Sequence, residues 1–578
     1  MKLRNNIAVP AAFAAVLFAA CTDGNNWSTD PSVSRLFGVD DSKITVVPDI
    51  STAELTFAAQ QGAEYYIVEV STDSLYDDIP VGGTKNSIVY GNDKSITKSP
   101  FIMTGLKRES SYFLRIKSMA DGKNESRWVY YKSHGTFKTL FEQILKTPTS
   151  KDIMDTYINV EWTKPEVDRL IVTAMITNPE TGATEEKVVL DKQLSKEEAA
   201  AQAYHIDGLT GGTEYVITIW NNGEKRGEIK QMTAAPMPQG DVKYILTDDD
   251  EFINNALLNS LVEESGMEAP AIAIGVPAET TVTLGGLSES GDPAALKIPE
   301  GVSLTIFGMP GGDKPTLVVE KSLAIDGAHT YIKFQNLVLT EKNGGNYFIN
   351  QGNACNVGEF TFENCVIKDW GNSIVRFQSS GSKVINNLVF DNCLVSNISK
   401  SNGYFAIHVD ASKAGIINNI ICKNTTFYSF DDKNNKGFIY SKSTPMESIV
   451  ITNCTFRNIL RSGGYFIDFG DTSTGCSKDI TIENTLFGHL NTKDTRGIRA
   501  SNVPVVNNSY NSLELNDGCY WHKAEDEKGN PKTSSFFEGL TTLTVSDADI
   551  FKDAANGDFT LKYDELISAK VGDPRWIK

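Results

Sequence analysis

Six short apolar stretches in the C-terminal half of the chain end on polar side chains that could act on a ligand. They are Tyr347-Phe-Ile-Asn350, Ser373-Ile-Val-Arg376, Tyr404-Phe-Ala-Ile-His408, Gly437-Phe-Ile-Tyr440, Tyr465-Phe-Ile-Asp468 and Gly497-Ile-Arg499. Side by side, Asn350, Arg376, His408, Tyr440, Asp468 and Arg499 would make one row. Arginine grips a carboxylate through a bidentate fork, and tyrosine offers a flat face for stacking. Such a row suits a long, carboxylate-bearing ligand. A second row is Gln335, Glu363, Asp391, Lys423, Thr452 and Glu483. If these pair on neighbouring strands, Glu363 and Asp391 stand about 4.8 Å apart, a spacing at which two carboxylates can begin a Ca²⁺ site. With the ion there, Arg376, His408 or Tyr440 would fill the acid–base roles that β-elimination of a uronate needs. The competing reading of both rows is a solvated face with a satisfied His408. Other chemistries lack their residues: the chain has no G-x-S-x-G, no H-E-x-x-H, no Gly-rich phosphate loop and no CxxC pair.

The elements that must position these rows come from a repeat. Phe334-Gln-Asn336, Phe362-Glu-Asn364, Phe390-Asp-Asn392, Cys422-Lys-Asn424, Ile451-Thr-Asn453 and Ile482-Glu-Asn484 recur, with a weaker copy at Val505-Val-Asn507; successive asparagines are 28, 28, 32, 29, 31 and 23 residues apart. A period of this length built on short strands points to a parallel β-solenoid. The apolar residue two before each asparagine and the one three after it (Leu339, Ile367, Val395, Phe427, Phe456, Phe487) would stack inward. The asparagine itself tolerates a left-handed bend and can bond to the amide on the next coil. Cys365, Cys393 and Cys454 follow the bend, and with Cys355, Cys422, Cys476 and Cys519 they read as free core thiols rather than metal ligands or disulfides.

At 578 residues, with 40% hydrophobic and 22% charged residues, the chain is that of a folded protein of several domains. A net charge of -19 argues against a nucleic-acid partner. Residues 36–139 and 140–235 each show short alternating strands of a β-sandwich. The two share one motif in register, Leu106 to Tyr112-Phe-Leu-Arg-Ile116 and Leu209 to Tyr215-Val-Ile-Thr-Ile219. Ala234-Ala-Pro236-Met-Pro238-Gln-Gly240 marks a boundary, and Asp248 to Leu261 predicts an amphipathic helix, opened by acidic residues, that covers the first coil of a solenoid over 240–578.

Lys2 and Arg4, the apolar run Ile7–Ala20 and the ending Phe18-Ala-Ala-Cys21 resemble a lipobox, which implies a signal peptide over 1–20, lipidation of Cys21 and a tether over 21–35. The shared tyrosine motif, with Trp162 as the early-strand core tryptophan, resembles fibronectin type III modules. The asparagine repeat resembles the pectate-lyase-like right-handed parallel β-helices. The ending Asp558-Phe-Thr-Leu561 to Gly572-Asp-Pro-Arg-Trp576 resembles that of surface lipoproteins of glycan-foraging bacteria, families of unknown function often tied to polysaccharide utilisation. These resemblances imply an all-β protein, lipid-anchored at the outer membrane, with polysaccharide and outer-membrane glycan-uptake proteins as partners and no cofactor. The expected activity is binding of a polysaccharide, acidic or pectin-like, along a groove through Arg376, His408, Tyr440, Asp468 and Arg499. A Ca²⁺-dependent polysaccharide lyase and a structural adhesin are the alternatives.

Overall fold

Two tyrosine corners anchor the N-terminal half. The Lys107 amide donates to the Tyr112 hydroxyl at 2.7 Å, and the Thr210 amide donates to that of Tyr215 at 2.8 Å. Each corner has a threonine latch that the sequence comparison overlooked. Thr139 Oγ1 donates to the Lys107 carbonyl at 2.6 Å, as Thr233 Oγ1 does to that of Thr210 at 2.7 Å. In the computed structural model the described residues are 35–177, 184–288, 290–342, 344–401, 403–410, 415–430, 433–490, 495–512 and 537–578. Cys519 and residues 1–34, where the signal peptide, the lipidated Cys21 and the tether are expected, lie outside them. The chain divides into two compact units, one running to Leu145 with Glu166–Leu170 and Thr218–Glu228, the other holding Lys146–Pro165, Ile171–Ile217 and Ile229–Lys578.

Both N-terminal modules are fibronectin type III-like sandwiches. In the first, Thr45–Pro48, Thr52–Thr56 and Phe101–Thr104 face a five-stranded sheet centred on Tyr65–Ser71 and Ser111–Met119. Leu55, Val68, Met103 and Ile116 are fully buried between them. In the second, Ile158–Glu161 pairs with Ala203–Ile206, and the other sheet runs Thr184–Gln193, Arg169–Thr177, Glu214–Asn221, Glu224–Met232. Trp162 and Phe57 fill comparable core places at 1% and 4% exposure.

From Val242 onward the chain winds into a parallel β-helix with three sheets. Sheet A has ten strands, from Val242–Ile245 to Val505–Asn507, and sheet B has eleven, from Phe252–Ile253 to Thr541–Thr542. Sheet C has six: Ile349–Gln351, Val375–Phe377, Phe405–Val409, Gly437–Ser441, Tyr465–Asp468 and Arg496–Arg499. Both predicted inward columns are fully buried, and rings stack along them: Phe427 on Phe456 at 5.0 Å and 6°, Phe456 on Phe487 at 5.2 Å and 11°. The six described cysteines of the solenoid are free and buried.

The asparagines turn the chain from sheet A to sheet B in the left-handed region, with φ from 46° to 55° at Asn336, Asn364, Asn392, Asn424, Asn453 and Asn484. The amide ladder is present, for example Asn364 Nδ2 to Asn336 Oδ1 at 3.1 Å and Asn453 Nδ2 to Asn424 Oδ1 at 3.1 Å. Two details differ from expectation. Asn507 stays in sheet A, paired with Glu483, so the last ladder place falls to Asn508, whose amide reaches Asn484 Oδ1 at 2.7 Å. The ladder is also interrupted between Asn392 and Asn424. Arg575 Nη2 takes Asn392 Oδ1 at 2.6 Å, and Asn424 Nδ2 turns to Asp391 Oδ1 at 3.1 Å.

The covering helix is shorter than expected, Asn255–Ser265, and is capped by Asn254, whose side chain accepts from the Leu257 amide at 2.9 Å. The acidic run does not open it: Phe252–Ile253 is already a strand of sheet B, and Asp250 closes a turn by accepting from Thr247 N at 2.8 Å. Leu258 and Leu261 cover the first coil. At the other end, Gly572–Trp576 lies along sheet B. Thr426 Oγ1 donates to the buried Asp573 carboxylate at 2.8 Å, Thr455 Oγ1 accepts from Asp573 N at 3.0 Å, and Trp576 Nε1 donates to Thr426 Oγ1 at 2.8 Å.

Candidate functional site

The row read from the sequence is a true rung-by-rung column. On sheet C, Asn350 pairs with Arg376, Arg376 with His408, His408 with Tyr440, Tyr440 with Asp468 and Asp468 with Arg499. Neighbours in the strand point the other way: Val375, Phe377, Ile407, Ile439 and Ile467 are all in the core. One such side chain per coil gives a repeat of about 4.8 Å along the helix.

Arg376 is held on three sides. Its guanidinium lies 5.3 Å from the Tyr347 ring centre and 4.8 Å from that of Tyr404, and its Nη2 donates to Asp410 Oδ2. Burial pushes the Tyr347 hydroxyl pKa up, so the ring stays neutral. Burial alone would raise the Asp410 carboxyl as well, but hydrogen bonds from Arg376 and His408 outweigh it and hold the group below the usual carboxylate range.

His408 is 4% exposed, and that burial lowers its pKa to about 4 against the opposing pull of Asp410. Its Nδ1 accepts from Phe405 N at 3.5 Å, and its Nε2 meets Asp410 Oδ1 at 3.2 Å, the pattern of a neutral ring protonated on Nε2. Tyr440 stacks on His408 at 4.8 Å and on Phe405 at 5.0 Å. Gly437 makes room for the Phe405 ring, since a Cβ there would stand 2.4 Å from Phe405 Cε1.

At the far end, Asp468 is 4% exposed and receives Arg499 through both oxygens, Nε to Oδ1 and Nη2 to Oδ2, each at 2.7 Å. Arg499 lies 4.6 Å from the Tyr465 ring centre, and Arg496 lies 5.3 Å from the same ring.

The column therefore has two depths. Arg376, Tyr440 and Arg499 reach the surface, whereas His408 and Asp468 sit behind it against their neighbours, so the five residues expected to bind glycan stand at two depths. The arginines are not bare charges either, since Arg499 is forked onto Asp468 and Arg376 bonds to Asp410 through Nη2. Asn350 Oδ1 and Arg376 Nε, adjacent on the row and buried, have no hydrogen-bond partner among the described residues. Sequence reading missed Asp410, Tyr347, Tyr404, Tyr465 and Arg496. The recurring Tyr-Phe at the start of three sheet C strands was the available signal for the tyrosines. Asp410 gave none, because it follows its strand in a loop.

The second row is also in register, but on sheet A: Gln335, Glu363, Asp391, Lys423, Thr452, Glu483. Glu363 accepts from Gln335 Nε2 at 2.6 Å, and Asp391 is taken by Lys423 at 3.1 Å and Asn424. Among the described residues no group of three or more His, Cys, Asp or Glu is placed to hold a metal ion. The carboxylates proposed for Ca²⁺ and the acid–base trio Arg376, His408 and Tyr440 stand on different sheets, so the structure does not assemble them into one lyase centre.

Two stretches of the solenoid match families described as domains of unknown function, DUF4957 over residues 293–430 and DUF5123 over residues 449–576. Neither covers half of the chain. Among solved structures, a two-domain fibronectin type III segment of chicken tenascin is similar over 34% of this chain and 97% of that one, at 19% identity and a TM-score of 0.20. No curated protein matches the chain in sequence.

Proposed function

We propose that the protein binds polysaccharide along sheet C. One observation carries this reading: six coils align polar and aromatic side chains in unbroken register, and Arg376, Tyr440 and Arg499 of that column reach the surface. A glycan has the matching form, with an apolar ring face for Tyr440 and hydroxyls for the Arg–Asp pairs. A hydroxyl both donates and accepts, so after a small rotation of the side chains one hydroxyl would satisfy Asn350 Oδ1 and Arg376 Nε together. Because Asp410 and Asp468 already neutralise Arg376 and Arg499, a uronate would have to join an existing ion pair. Hydroxyl recognition is favoured over the pectin-like carboxylate recognition expected from the sequence.

Affinity electrophoresis in a panel of neutral and pectic polysaccharides tests this. Retardation should occur with a neutral glycan, and Arg376→Ala should weaken it by about 1.5–3 kcal/mol, the range for hydrogen bonds to a charged group. Unchanged retardation in both Arg376→Ala and Arg499→Ala would move the site off sheet C. No retardation in any gel would favour the adhesin reading, and a rise in absorbance near 235 nm with uronate polymers and Ca²⁺ would favour the lyase. The lipobox-like start supports a lipid-anchored outer-membrane location serving glycan uptake. There, Cys21→Ser should shift the protein from the membrane fraction to the soluble one, and a variant that stays membrane-bound would count against the anchor.

A further inference from the structure

Outward positions on sheet A also run in register, and at the N-terminal end they lead into a cavity. Phe307 pairs with Gln335, Gln335 with Glu363, and Glu363 with Asp391. Over the first three of these lies a cavity of about 380 Å³, walled by Phe307, Pro310, Gln335, Glu363, Pro236 and Met237. Its volume falls in the range of small-molecule sites, and its make-up, mostly apolar with a few convergent polar groups, is that of such a site.

The polar groups are specific in kind. Gln335 Nε2 donates to Glu363 Oε2 at 2.6 Å, which locks the two side chains together and leaves Gln335 Oε1 and Glu363 Oε1 without a partner among the described residues. Both are acceptors, held on adjacent coils about one strand spacing apart. They call for a ligand with two neighbouring donors. The proline, methionine and phenylalanine walls call for an apolar face on the same ligand. A second carboxylate, which a cationic ligand would favour, is missing from the wall.

We infer that this cavity is a second carbohydrate site, built for a single neutral sugar ring whose vicinal hydroxyls donate to Gln335 and Glu363 while its C–H face lies on the Pro236–Met237 segment. Beyond the cavity the row continues along sheet A as Asp391, Lys423, Thr452 and Glu483, so the site is the closed end of a polar track. It shares no residue with the column on sheet C and stands whether or not that column binds glycan.

The test is saturation-transfer NMR titration of the full chain with the methyl glycosides of glucose, galactose, mannose and xylose. At least one should bind. Glu363→Ala should weaken that binding at least tenfold, and Ala235→Trp, which fills the cavity from an exposed position in the linker, should abolish it with the fold unchanged by circular dichroism. Arg376→Ala should leave it intact, which separates this site from the one on sheet C. The proposal is overturned if no glycoside binds, if either cavity variant keeps wild-type affinity, or if a simple alkylammonium ion binds in the glycosides' place.

Discussion

His408 shows how burial changes what a side chain can contribute. Read as a polar end to an apolar strand, it is a candidate proton donor or acceptor. In the fold both of its nitrogens are engaged, and burial has lowered its pKa to about 4. The unfolded chain takes up the proton near pH 6.5 and the folded one only near pH 4, so between those values the unfolded state binds more protons. Stability is then complete above pH 6.5 and is lost as the pH falls toward 4, by roughly 1–3 kcal/mol. Urea unfolding at a series of pH values should show this slope, and His408→Gln should flatten it; an equal slope in the variant would assign the effect to other groups. The row itself was legible because each coil repeats an apolar stretch with a polar end. The depth of each member was not, because depth depends on Asp410 and the tyrosines of neighbouring coils, which spacing does not reveal.

Each bend of the solenoid is an element with its own energetics. A non-glycine residue in the left-handed region costs about 1–2 kcal/mol, and asparagine reduces that cost through local hydrogen bonds. Asn453→Ala keeps the strain and loses the amide bond to Asn424 Oδ1, so it should destabilise by about 1–2 kcal/mol. Phe456→Ala removes a ring stacked between Phe427 and Phe487 and should cost about 3–5 kcal/mol. Chemical denaturation of both variants would check the order; a larger loss from Asn453→Ala would mean that the ladder, not the ring stack, holds the coils. The asparagine column could be read because one residue type recurs. A second left-handed column, Asp369, Asn397, Ser429 and Asn458, turns the chain out of sheet B and went unread. Asp, Asn and Ser can each take that bend with a short polar side chain, so no single letter repeats. The cap helix was misplaced for a related reason: a run of aspartates resembles a helix start, yet Asn254 offered the better cap and Asp250 the better turn.

Over the whole molecule, both sandwiches and the solenoid were readable, because each rests on a pattern that local geometry alone enforces. The path of the C-terminal segment was not, since its contacts join residues more than a hundred positions apart. The buried thiols report on how this assembly opens. Burial raises the pKa of Cys365 to about 12, which suppresses the reactive thiolate. A thiol reagent should therefore label the six described solenoid cysteines slowly in the native protein and completely in denaturant. Fast native labelling of Cys365 and Cys393 would show that the coils breathe one at a time rather than together.

The segment Gly572–Trp576 has a consequence for the order of events in synthesis. Coils that touch only their neighbours can close one after another as the chain emerges, and each can reopen just as easily. Asp573, Arg575 and Trp576 reach back to Thr426, Thr455 and Asn392, which belong to coils completed more than a hundred residues earlier. Until those contacts form, the growing stack is a reversible zipper. Once they form, the rungs that carry Asn392, Thr426 and Thr455 are tied to one another through a single segment, so the segment works as a clasp that couples the opening of separate rungs.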